Sequence, residues 1–341
     1  MKIMVTGGAG YVGGTTAALL AQQGHQVTVV DNLCHSVSSG VPAGVEFVEA
    51  DIADRARIEG LFRDATAAGA AFDGVLHFAA LIEAGESMKH PEVYFRANTS
   101  ATLALLESVL SCGPKRFVFS STAAVYGEPE IIPIPETAAL RPTNAYGESK
   151  LLVETMLGWF HRIHGLRSAS LRYFNVAGAP EVGGKGSGVI VAGEAHEPES
   201  HLIPLVLDVA LGRRDAIKIF GDDYPTHDGT CVRDYVHVSD LADAHLLALE
   251  ALETDRAAEQ RLIYNLGNGA GFTVREVIDS VRRVTGHPIP VEVLPRRAGD
   301  PAFLIASSEK AIAEMGWKPN YPKIDEIIQT AWTWHQKRHG K

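Results

Sequence analysis

The sequence predicts an α/β protein with a doubly wound parallel sheet, followed by a smaller domain of mixed α/β structure. Over the first 175 residues, short β-branched apolar runs alternate with longer helical patterns, as they do in βαβ units. A glycine-rich turn joins the first apolar run to the first helical stretch. After Asn175 the chain becomes rich in Gly, Pro and acidic residues, which indicates a change of domain.

The predicted strands are short apolar runs bounded by turn residues. They cover residues 2–6, 26–30, 45–48, 74–78, 116–121 and 168–173. The predicted helices cover residues 11–23, 54–67, 88–112 and 143–164. Because crossovers between parallel strands are right-handed, this alternation places helices on both faces of one sheet.

Residues 178–200, just after the predicted domain boundary, are rich in Gly, Pro and acidic residues and predict a long loop. Loops of this length inside compact domains are usually functional or disordered. We expect the first domain to span residues 1–175, joined by part of 233–260, and the second to span 176–341.

Composition limits the class of protein. The length of 341 residues corresponds to two domains at roughly 150 residues each. With 46% apolar and 21% charged residues, the chain is typical of a folded protein rather than a disordered one. No window approaches the roughly 18 consecutive apolar residues of a membrane span. Glycines begin after six residues, which does not fit a secretory signal, so we expect a cytoplasmic protein without a membrane partner.

Charge and metal-binding residues exclude further classes. The net charge of −10 disfavours nucleic acid as a partner, because phosphate binding needs clustered Lys and Arg. Cys34, Cys112 and Cys231 form no C-x-x-C spacing. No HExxH motif is present, and we expect structural roles for His161 and His164. The sequence therefore predicts no metal site.

The glycine-rich turn predicts a dinucleotide site. Gly7, Gly10 and Gly13 follow the first strand and open the first helix, so backbone N–H groups can approach a pyrophosphate at the helix N-terminus. Asp31 ends the second strand, where its carboxylate can accept hydrogen bonds from ribose hydroxyls and would repel a 2′-phosphate. Residues 51–52 would flank the adenine. The pattern predicts a Rossmann domain that binds NAD rather than NADP.

A second motif predicts alcohol oxidation. Tyr146 and Lys150 lie four residues apart on one helix face, one βα unit after the strand that runs into Thr122. A free tyrosine titrates near 10, too high for a general base at neutral pH. A nearby ammonium group and a positive nicotinamide ring would favour the phenolate. Thr122 could hydrogen-bond the same substrate hydroxyl.

The motifs TGGAGYVG, HFAALIEAGES, SSTAAVYGEP, YGESK and LRYFNVAG occur in the order of a known family. On these segments the chain resembles the extended short-chain dehydrogenase/reductase family over nearly its whole length. The block FGDDYPTHDGTCVRDYVHV is narrower and is similar to the nucleotide-sugar 4-epimerases of that family.

The resemblance implies specific site residues. It gives Tyr146 the role of base, with Lys150 and Thr122 beside it. The cofactor contacts that it implies are Gly7, Gly10, Tyr11, Val12, Gly13, Asp31, Asn32, Asp51, Ile52, Phe78, Ala79, Asn98, Tyr146, Lys150 and Phe174. The substrate contacts that it implies are Thr122, Tyr146, Asn175, Leu202, Phe220, Arg233, Tyr235, Arg297, Asp300 and Leu304.

The implied reaction is reversible 4-epimerisation of UDP-glucose and UDP-galactose, a step of galactose metabolism. The sugar 4-hydroxyl is oxidised with tightly held NAD, the 4-ketose turns over, and hydride returns to its other face. Firm anchoring of UDP and loose holding of the sugar are the physical requirements. The resemblance also implies a homodimer built from the helices near 94–112 and 146–164.

Two residues differ from the pattern of the family, and two alternative functions stay open. Ile82 replaces a lysine that is familiar in the family. Leu304 stands at a sugar-facing position where the family has either a bulky tyrosine or a small residue. Because leucine is smaller than tyrosine, N-acetylated sugars could also fit. Ala123 and Ala124 replace the acidic residues of related dehydratases and decarboxylases, which disfavours those reactions. Epimerisation of UDP-N-acetylglucosamine, UDP-glucuronate or a UDP-pentose is the nearest alternative. A non-catalytic dinucleotide sensor is the other.

Overall fold

A seven-stranded parallel sheet forms the centre of the computed structural model, which describes residues 1–190, 192–297 and 300–340. The strands of the protein are Lys2–Thr6 (β1), Gln26–Asp31 (β2), Glu46–Glu49 (β3), Gly74–His77 (β4), Arg116–Thr122 (β5), Arg167–Tyr173 (β6), Asn175–Ala177 (β7), Ile217–Phe220 (β8), Val232–Arg233 (β9), Tyr235–His237 (β10), Leu262–Leu266 (β11), Phe272–Thr273 (β12), Val291–Leu294 (β13) and Phe303–Leu304 (β14). The large sheet has the order β11-β6-β5-β4-β1-β2-β3.

Helices cover both faces of this sheet. The helices are Tyr11–Gln22 (α1), Arg55–Ala67 (α2), Ala84–Ser87 (α3), Pro91–Tyr94 (α4), Ala101–Cys112 (α5), Ala145–His164 (α6), Leu202–Ala210 (α7), Val238–Ala251 (α8), Asp255–Glu259 (α9), Val274–Thr285 (α10), Glu309–Met315 (α11) and Ile324–His339 (α12). Alternate residues of β1 enter opposite cores: Ile3 and Val5 pack with α1 and α8, whereas Met4 packs with α2, α5 and α6. The predicted doubly wound parallel sheet is confirmed.

The strand order reverses beside β1, which has β2 on one side and β4 on the other. In open parallel sheets the connections leave in opposite directions at this point and open a crevice at the carboxyl ends of the strands. The turn after β1 and the ends of β2, β4 and β5 therefore border one crevice.

A π-helical stretch, Phe95–Ser100, connects α4 to α5 without a break in the helical path. Such wider turns are frequent at functional sites. Asn98 lies within this stretch and is buried.

The C-terminal part has its own apolar core. Helices α7, α10 and α12 pack around the parallel pair β8–β13, and Ile219, Val277 and Ile328 are fully buried there. The same part of the chain also forms the three-stranded sheet β12-β9-β14, and β7 pairs with β10. Within the described residues, no helix combines the length and the apolar character needed to cross a bilayer.

The seventh strand of the large sheet was not predicted. β11 pairs with β6 in parallel, with Leu262 opposite Ala169 and Leu266 opposite Tyr173. It lies beyond the 233–260 segment, part of which we expected to join the first domain. The preceding helix α8 does lie in that segment and packs against α1.

Candidate active site

The turn between β1 and α1 requires glycine at two positions. Gly7 has φ +74°, and a Cβ atom there would lie 2.5 Å from the Ala79 backbone nitrogen. A Cβ atom at Gly13 would overlap the Gly7 carbonyl oxygen. Gly10 begins α1 without a side-chain cap, and no acidic residue lies in the first turn of the helix. This helix end therefore fits a pyrophosphate, which would accept hydrogen bonds from its free backbone N–H groups.

The carboxylate of Asp31 is fixed at the end of β2. It accepts hydrogen bonds from the Ala9 backbone nitrogen (3.1 Å), the Leu33 backbone nitrogen (2.9 Å) and the Ser36 hydroxyl (2.9 Å). Asp31 is 9% exposed, so these donors hold a nearly buried charge at the rim of the crevice. A carboxylate has about four acceptor positions, which leaves capacity for a ribose hydroxyl.

The predicted adenine contacts lie next to Asp31. Asn32 follows it in the chain and donates to the Asp51 carboxylate (3.0 Å), which also accepts from the Ala53 backbone nitrogen (2.8 Å). Ile52 is buried in the core that contains α2. The structure therefore brings these predicted residues together where β2 and β3 end.

The first turns of α6 carry the predicted Tyr/Lys pair. Asn144 begins the helix and accepts a hydrogen bond from the Gly147 backbone nitrogen (2.8 Å), which fixes the turn that holds Tyr146. Lys150 is 3% exposed, and its Nζ donates to the Ser120 carbonyl oxygen (3.0 Å). Thr122 ends the same strand, and its hydroxyl accepts from the Ala124 backbone nitrogen (3.1 Å).

Burial acts against the charged forms of both groups. The surrounding protein raises the pKa of Tyr146 above its usual range, and the interaction with the Thr122 side chain lowers it again in part. Burial also lowers the pKa of Lys150 to about 7. In the protein alone, desolvation thus outweighs the expected effect of Lys150 on the phenol. A phenolate at Tyr146 needs positive charge close by.

Asn98 holds the two sides of the crevice together. Its Oδ1 accepts from the Leu81 backbone nitrogen (2.8 Å), and its Nδ2 donates to the Leu81 carbonyl (2.9 Å) and the Ser149 hydroxyl (3.0 Å). Ser149 in turn donates to the Tyr146 carbonyl oxygen (2.7 Å). The side-chain amide of Asn98 therefore positions the loop after β4 against the helix that carries the tyrosine.

Four other predicted cofactor contacts surround the glycine turn. The backbone nitrogens of Phe78 and Ala79 both donate to the Thr6 carbonyl oxygen (2.9 and 3.1 Å). Val12 packs against the core beneath α1. The Tyr11 hydroxyl donates to the Gly178 carbonyl oxygen (2.6 Å), so this side chain ties α1 to the long loop after β7.

The two predicted arginines are linked through Asp300. Arg233 on β9 forms an ion pair with Asp300 and donates to the Pro301 carbonyl oxygen (2.9 Å). The guanidinium group of Arg297 lies 3.8 Å from the centre of the Phe220 ring. The Asp300 backbone nitrogen bonds to the Arg297 carbonyl oxygen (3.4 Å), which links the two arrangements.

Phe174 and Leu304 lie beside the end of β5. Both pack in a small apolar cluster with Ala123, the residue after Thr122. Leu304 is paired with Arg233 in the register of β14 and β9. The structure therefore brings the predicted sugar-facing leucine next to the strand end that carries the hydroxyl.

Three other predicted substrate contacts have different settings. Asn175 donates through its side chain and its backbone to the Asp234 carbonyl oxygen (3.1 Å each). Leu202 is the first residue of α7. Tyr235 lies opposite Asn175 in the strand pair but is 5% exposed and belongs to the C-terminal core. Its ring therefore packs in that core.

Asp234, for which the sequence predicts no role, organises this region. The side chain is fully buried and accepts from the backbone nitrogens of Asn268 (2.6 Å), Gly269 (3.0 Å) and Ala306 (3.0 Å). It lies between Arg233 and Tyr235 in a motif that the sequence analysis did recognise. The sequence feature that could have indicated this role is an acidic residue directly after the arginine of that motif.

The fold and the Tyr/Lys pair define a Rossmann-fold nucleotide-dependent enzyme that acts on a hydroxyl group. The model of the NAD dependent epimerase/dehydratase family matches residues 3–267, and the chain belongs to this family. The resemblance seen in the motifs is thereby confirmed.

Relatives with closely similar sequences cover the whole chain. UDP-glucose 4-epimerase of Halalkalibacterium halodurans is 50% identical over 341 residues, which are 100% of this chain and 97% of the relative. That of Streptomyces lividans is 52% identical over 98% of this chain and 96% of its own length. The crystal structure of UDP-glucose-4-epimerase from Stenotrophomonas maltophila with bound NAD and formylated UDP-arabinopyranose superposes with a TM-score of 0.90. It is 41% identical and covers 99% of this chain and 98% of its own.

Proposed function

We propose that the protein interconverts UDP-glucose and UDP-galactose by inverting the configuration at C4 of the sugar, with NAD as a tightly held cofactor. The observation that carries this proposal is the arrangement of Tyr146, Lys150 and Thr122 where β5 ends, at the same edge of the sheet as the glycine turn after β1. The relatives that share the whole chain are UDP-glucose 4-epimerases, which supports the same reaction.

The residues around the crevice fit NAD. The glycine turn accommodates a pyrophosphate, and Asp31 offers an acceptor to the ribose at the end of β2. Because that carboxylate would repel a 2′-phosphate, it favours NAD over NADP. The chemistry that NAD supplies when bound is reversible hydride transfer at the sugar C4. Asn98, Phe78 and Ala79 shape the wall on the β4 side.

The protein moves the proton. Tyr146 accepts the proton of the sugar 4-hydroxyl as the alcohol becomes a ketone, and it returns the proton when the ketone is reduced from its other face. Thr122 holds the same oxygen by a hydrogen bond. Lys150 contributes as an ammonium group, whose charge lowers the cost of the phenolate in this desolvated place.

Inversion requires that the sugar turns while its nucleotide stays fixed. Arg233 and Arg297 offer guanidinium groups to the diphosphate, and Phe220 and Leu202 lie on the elements that border it. Binding energy from the nucleotide can thus hold the substrate without gripping the hexose. Leu304 is the sugar-facing residue of the proposal.

The proposal is tested with purified protein, UDP-galactose and no added NAD. Formation of UDP-glucose supports both the epimerisation and a retained cofactor. Release of the cofactor by acid denaturation and its enzymatic assay identify it independently. UDP-N-acetylgalactosamine, UDP-glucuronate and a UDP-pentose are tested in parallel. Turnover of one of these without turnover of UDP-galactose would favour the alternative substrate.

We also propose that the enzyme is a cytoplasmic homodimer. The three cysteines are all free, which suits a reducing compartment. Exposed apolar side chains lie on α5 and α6, among them Leu103, Leu110, Leu152, Trp159 and Ile163, and pairing with a second copy would cover them. Light scattering of the purified protein tests the mass of the assembly.

A further inference from the structure

The segment between β7 and α7 carries two Glu-x-His units that fold onto one another. Their four side chains, here called the Glu/His cluster, are Glu194, His196, Glu199 and His201. Oε1 of Glu194 lies 3.2 Å from Nδ1 of His196 and 2.8 Å from Nδ1 of His201. Nδ1 of His201 also lies 2.9 Å from Oε1 of Glu199. One potential ligand atom from each residue lies within 4.8 Å of all the others.

The cluster is held in place by other parts of the fold. Trp334 on α12 donates through Nε1 to the Glu194 carbonyl oxygen (2.8 Å). The side chain of Glu194 is only 8% exposed. The ring of Tyr11, at the start of α1, meets the His196 ring edge-on at 6.5 Å between centroids. Contacts with α1 and α12 therefore hold the segment that carries the four side chains.

The donor set suits zinc. Two imidazole nitrogens and two carboxylate oxygens match the ligands of tetrahedral Zn²⁺, which binds them at roughly 2.0–2.2 Å. Tetrahedral ligands at that distance are roughly 3.3 Å apart, and the contacts of 2.8–3.2 Å in the cluster are close to this value. Small movements of side chains would admit an ion between them. A divalent ion would also neutralise the two adjacent carboxylates, one of which is buried.

A second group of possible ligands is less suitable. Asp208, His335 and His339 also lie within reach of one another. Nε of Arg213 donates to the Asp208 carboxylate (2.9 Å), so a guanidinium group already supplies the positive charge there. No arginine or lysine forms an ion pair with Glu199 or with the side chain of Glu194 within the part of the chain that the structure describes.

We propose that the Glu/His cluster binds a single zinc ion that fixes the segment between β7 and α7. This differs from the expectation of no metal, which rested on the absence of an HExxH motif; two Glu-x-His units are a different pattern. The segment contacts both borders of the crevice: Gly178 accepts from Tyr11, and Ser200 donates to the Glu83 carboxylate (3.0 Å). The ion would act on this structure and would take no part in the chemistry at Tyr146.

The test measures metal binding directly and does not depend on the proposed activity. The full chain without a polyhistidine tag is treated with a chelator, dialysed and titrated with Zn²⁺ against a chromophoric competitor. We expect one ion per chain. Titration with Co²⁺ should give the intense visible absorption of a tetrahedral site, because Co²⁺ reports the geometry that Zn²⁺ adopts. The melting temperature should rise with Zn²⁺, since the ion binds the folded chain.

Variants locate the ion. His196→Gln should lower the Zn²⁺ affinity at least about 10-fold, the scale on which even indirect partners of a metal matter. Glu199→Gln should do the same, and it keeps the proposal testable if the first variant does not fold. His339→Gln, in the second group of ligands, is the matched control and should bind as the parent does. Absence of stoichiometric binding would overturn the proposal and leave simple histidine–glutamate pairs. Unchanged affinity in both folded cluster variants, or loss in His339→Gln, would overturn it as well.

Discussion

Glu154 and Arg172 form a buried ion pair behind the proposed base. Nη2 of Arg172 lies 2.6 Å from Oε2 of Glu154, and the two side chains are 1% and 0% exposed. Oε1 of Glu154 also accepts from Nε of Arg172 (2.9 Å) and from the Ser121 hydroxyl (2.6 Å). Glu154 lies four residues after Lys150, which lies four after Tyr146, so one helix face carries all three. The pair ties α6 to the ends of β5 and β6.

Glu154→Gln should destabilise the protein strongly. The substitution keeps the shape of the side chain but leaves the guanidinium group of Arg172 buried without its counter-charge, which costs about 3–5 kcal/mol. Calorimetric melting or denaturant unfolding measures the loss. Glu107→Gln breaks an exposed pair with Arg55 and should cost less than about 1 kcal/mol. Equal effects of the two substitutions would contradict the role of the buried pair.

The Tyr/Lys pair was predictable from sequence, but its support was not. Tyr146 and Lys150 are four residues apart, and a spacing along the chain can be read directly from the sequence. Glu154 continues that spacing, yet its partner Arg172 belongs to another strand. They meet because β5 and β6 place Ser121 opposite Arg172 and because α6 packs on these strands, so that Glu154 bonds to both. Contacts that depend on strand register cannot be deduced from the chain order alone.

The same limit explains why the strand β11 and the packing of Tyr235 were not predicted. β11 is a buried strand of five residues, and short apolar runs do not distinguish an edge strand of the large sheet from a strand of the second domain. The resemblance implied a substrate contact for Tyr235, and the chain order did not reveal that its ring also packs in the C-terminal core, opposite Asn175 in a two-stranded pair. By contrast, the predicted roles of Gly7, Gly13 and Asp31 rest on local sequence, namely the turn after β1 and the end of β2.

Tyr146→Phe should abolish most of the epimerisation. Without the phenolic oxygen no group accepts the 4-hydroxyl proton, and loss of a general base lowers kcat about 100- to 10,000-fold. The variant should fold and retain the cofactor, because the backbone of Tyr146 keeps its contacts: its nitrogen donates to the Ser87 hydroxyl, and its carbonyl oxygen accepts from the Ser149 hydroxyl. Tyr264→Phe removes a phenolic oxygen inside the core opposite Leu171 and serves as the control. Full activity of Tyr146→Phe would exclude the assigned chemistry.

The free energy of unfolding should fall as the pH drops below the pKa of His77 in the unfolded chain. His77 is 1% exposed, lies between the hydroxyls of Thr6 (2.7 Å) and Thr102 (2.8 Å), and burial lowers its pKa to about 3, with Lys150 acting in the same direction. Between pH 6.5 and 3 the unfolded chain takes up a proton that the folded protein does not, so this contribution is complete above pH 6.5 and is lost below it.

His77→Gln isolates that effect. The amide retains a donor and an acceptor for the two threonines but does not titrate. Between pH 7 and pH 5 the variant should lose about 2 kcal/mol less unfolding free energy than the parent. Denaturant unfolding at both pH values provides the measurement. Identical losses in the two proteins would show that His77 is not a neutral buried group.

Gly13→Ala should damage the fold of the nucleotide turn. Its Cβ atom would overlap the Gly7 carbonyl oxygen, a backbone atom that cannot yield, and overpacking of this kind costs about 1–3 kcal/mol. Gly10→Ala meets the same oxygen at 3.4 Å and should fold normally. Gly60→Ala in α2 meets nothing within 4 Å and should stabilise the protein slightly. Melting temperatures should follow that order, and cofactor retained after gel filtration should be lowest for Gly13→Ala.

Leu304 should control which sugars turn over. It packs in one cluster with Phe174 and with Ala123, the residue after Thr122, so a larger side chain would take up space near the end of β5. Leu304→Tyr should reduce kcat/KM for UDP-N-acetylglucosamine about 10- to 100-fold relative to UDP-glucose, because steric exclusion of an extra group is worth this much. Leu304→Met conserves volume and should keep the parent ratio. Since both sugars carry the same nucleotide, loss of both activities together would place Leu304 in the diphosphate site instead, and an unchanged ratio would remove it from the sugar site.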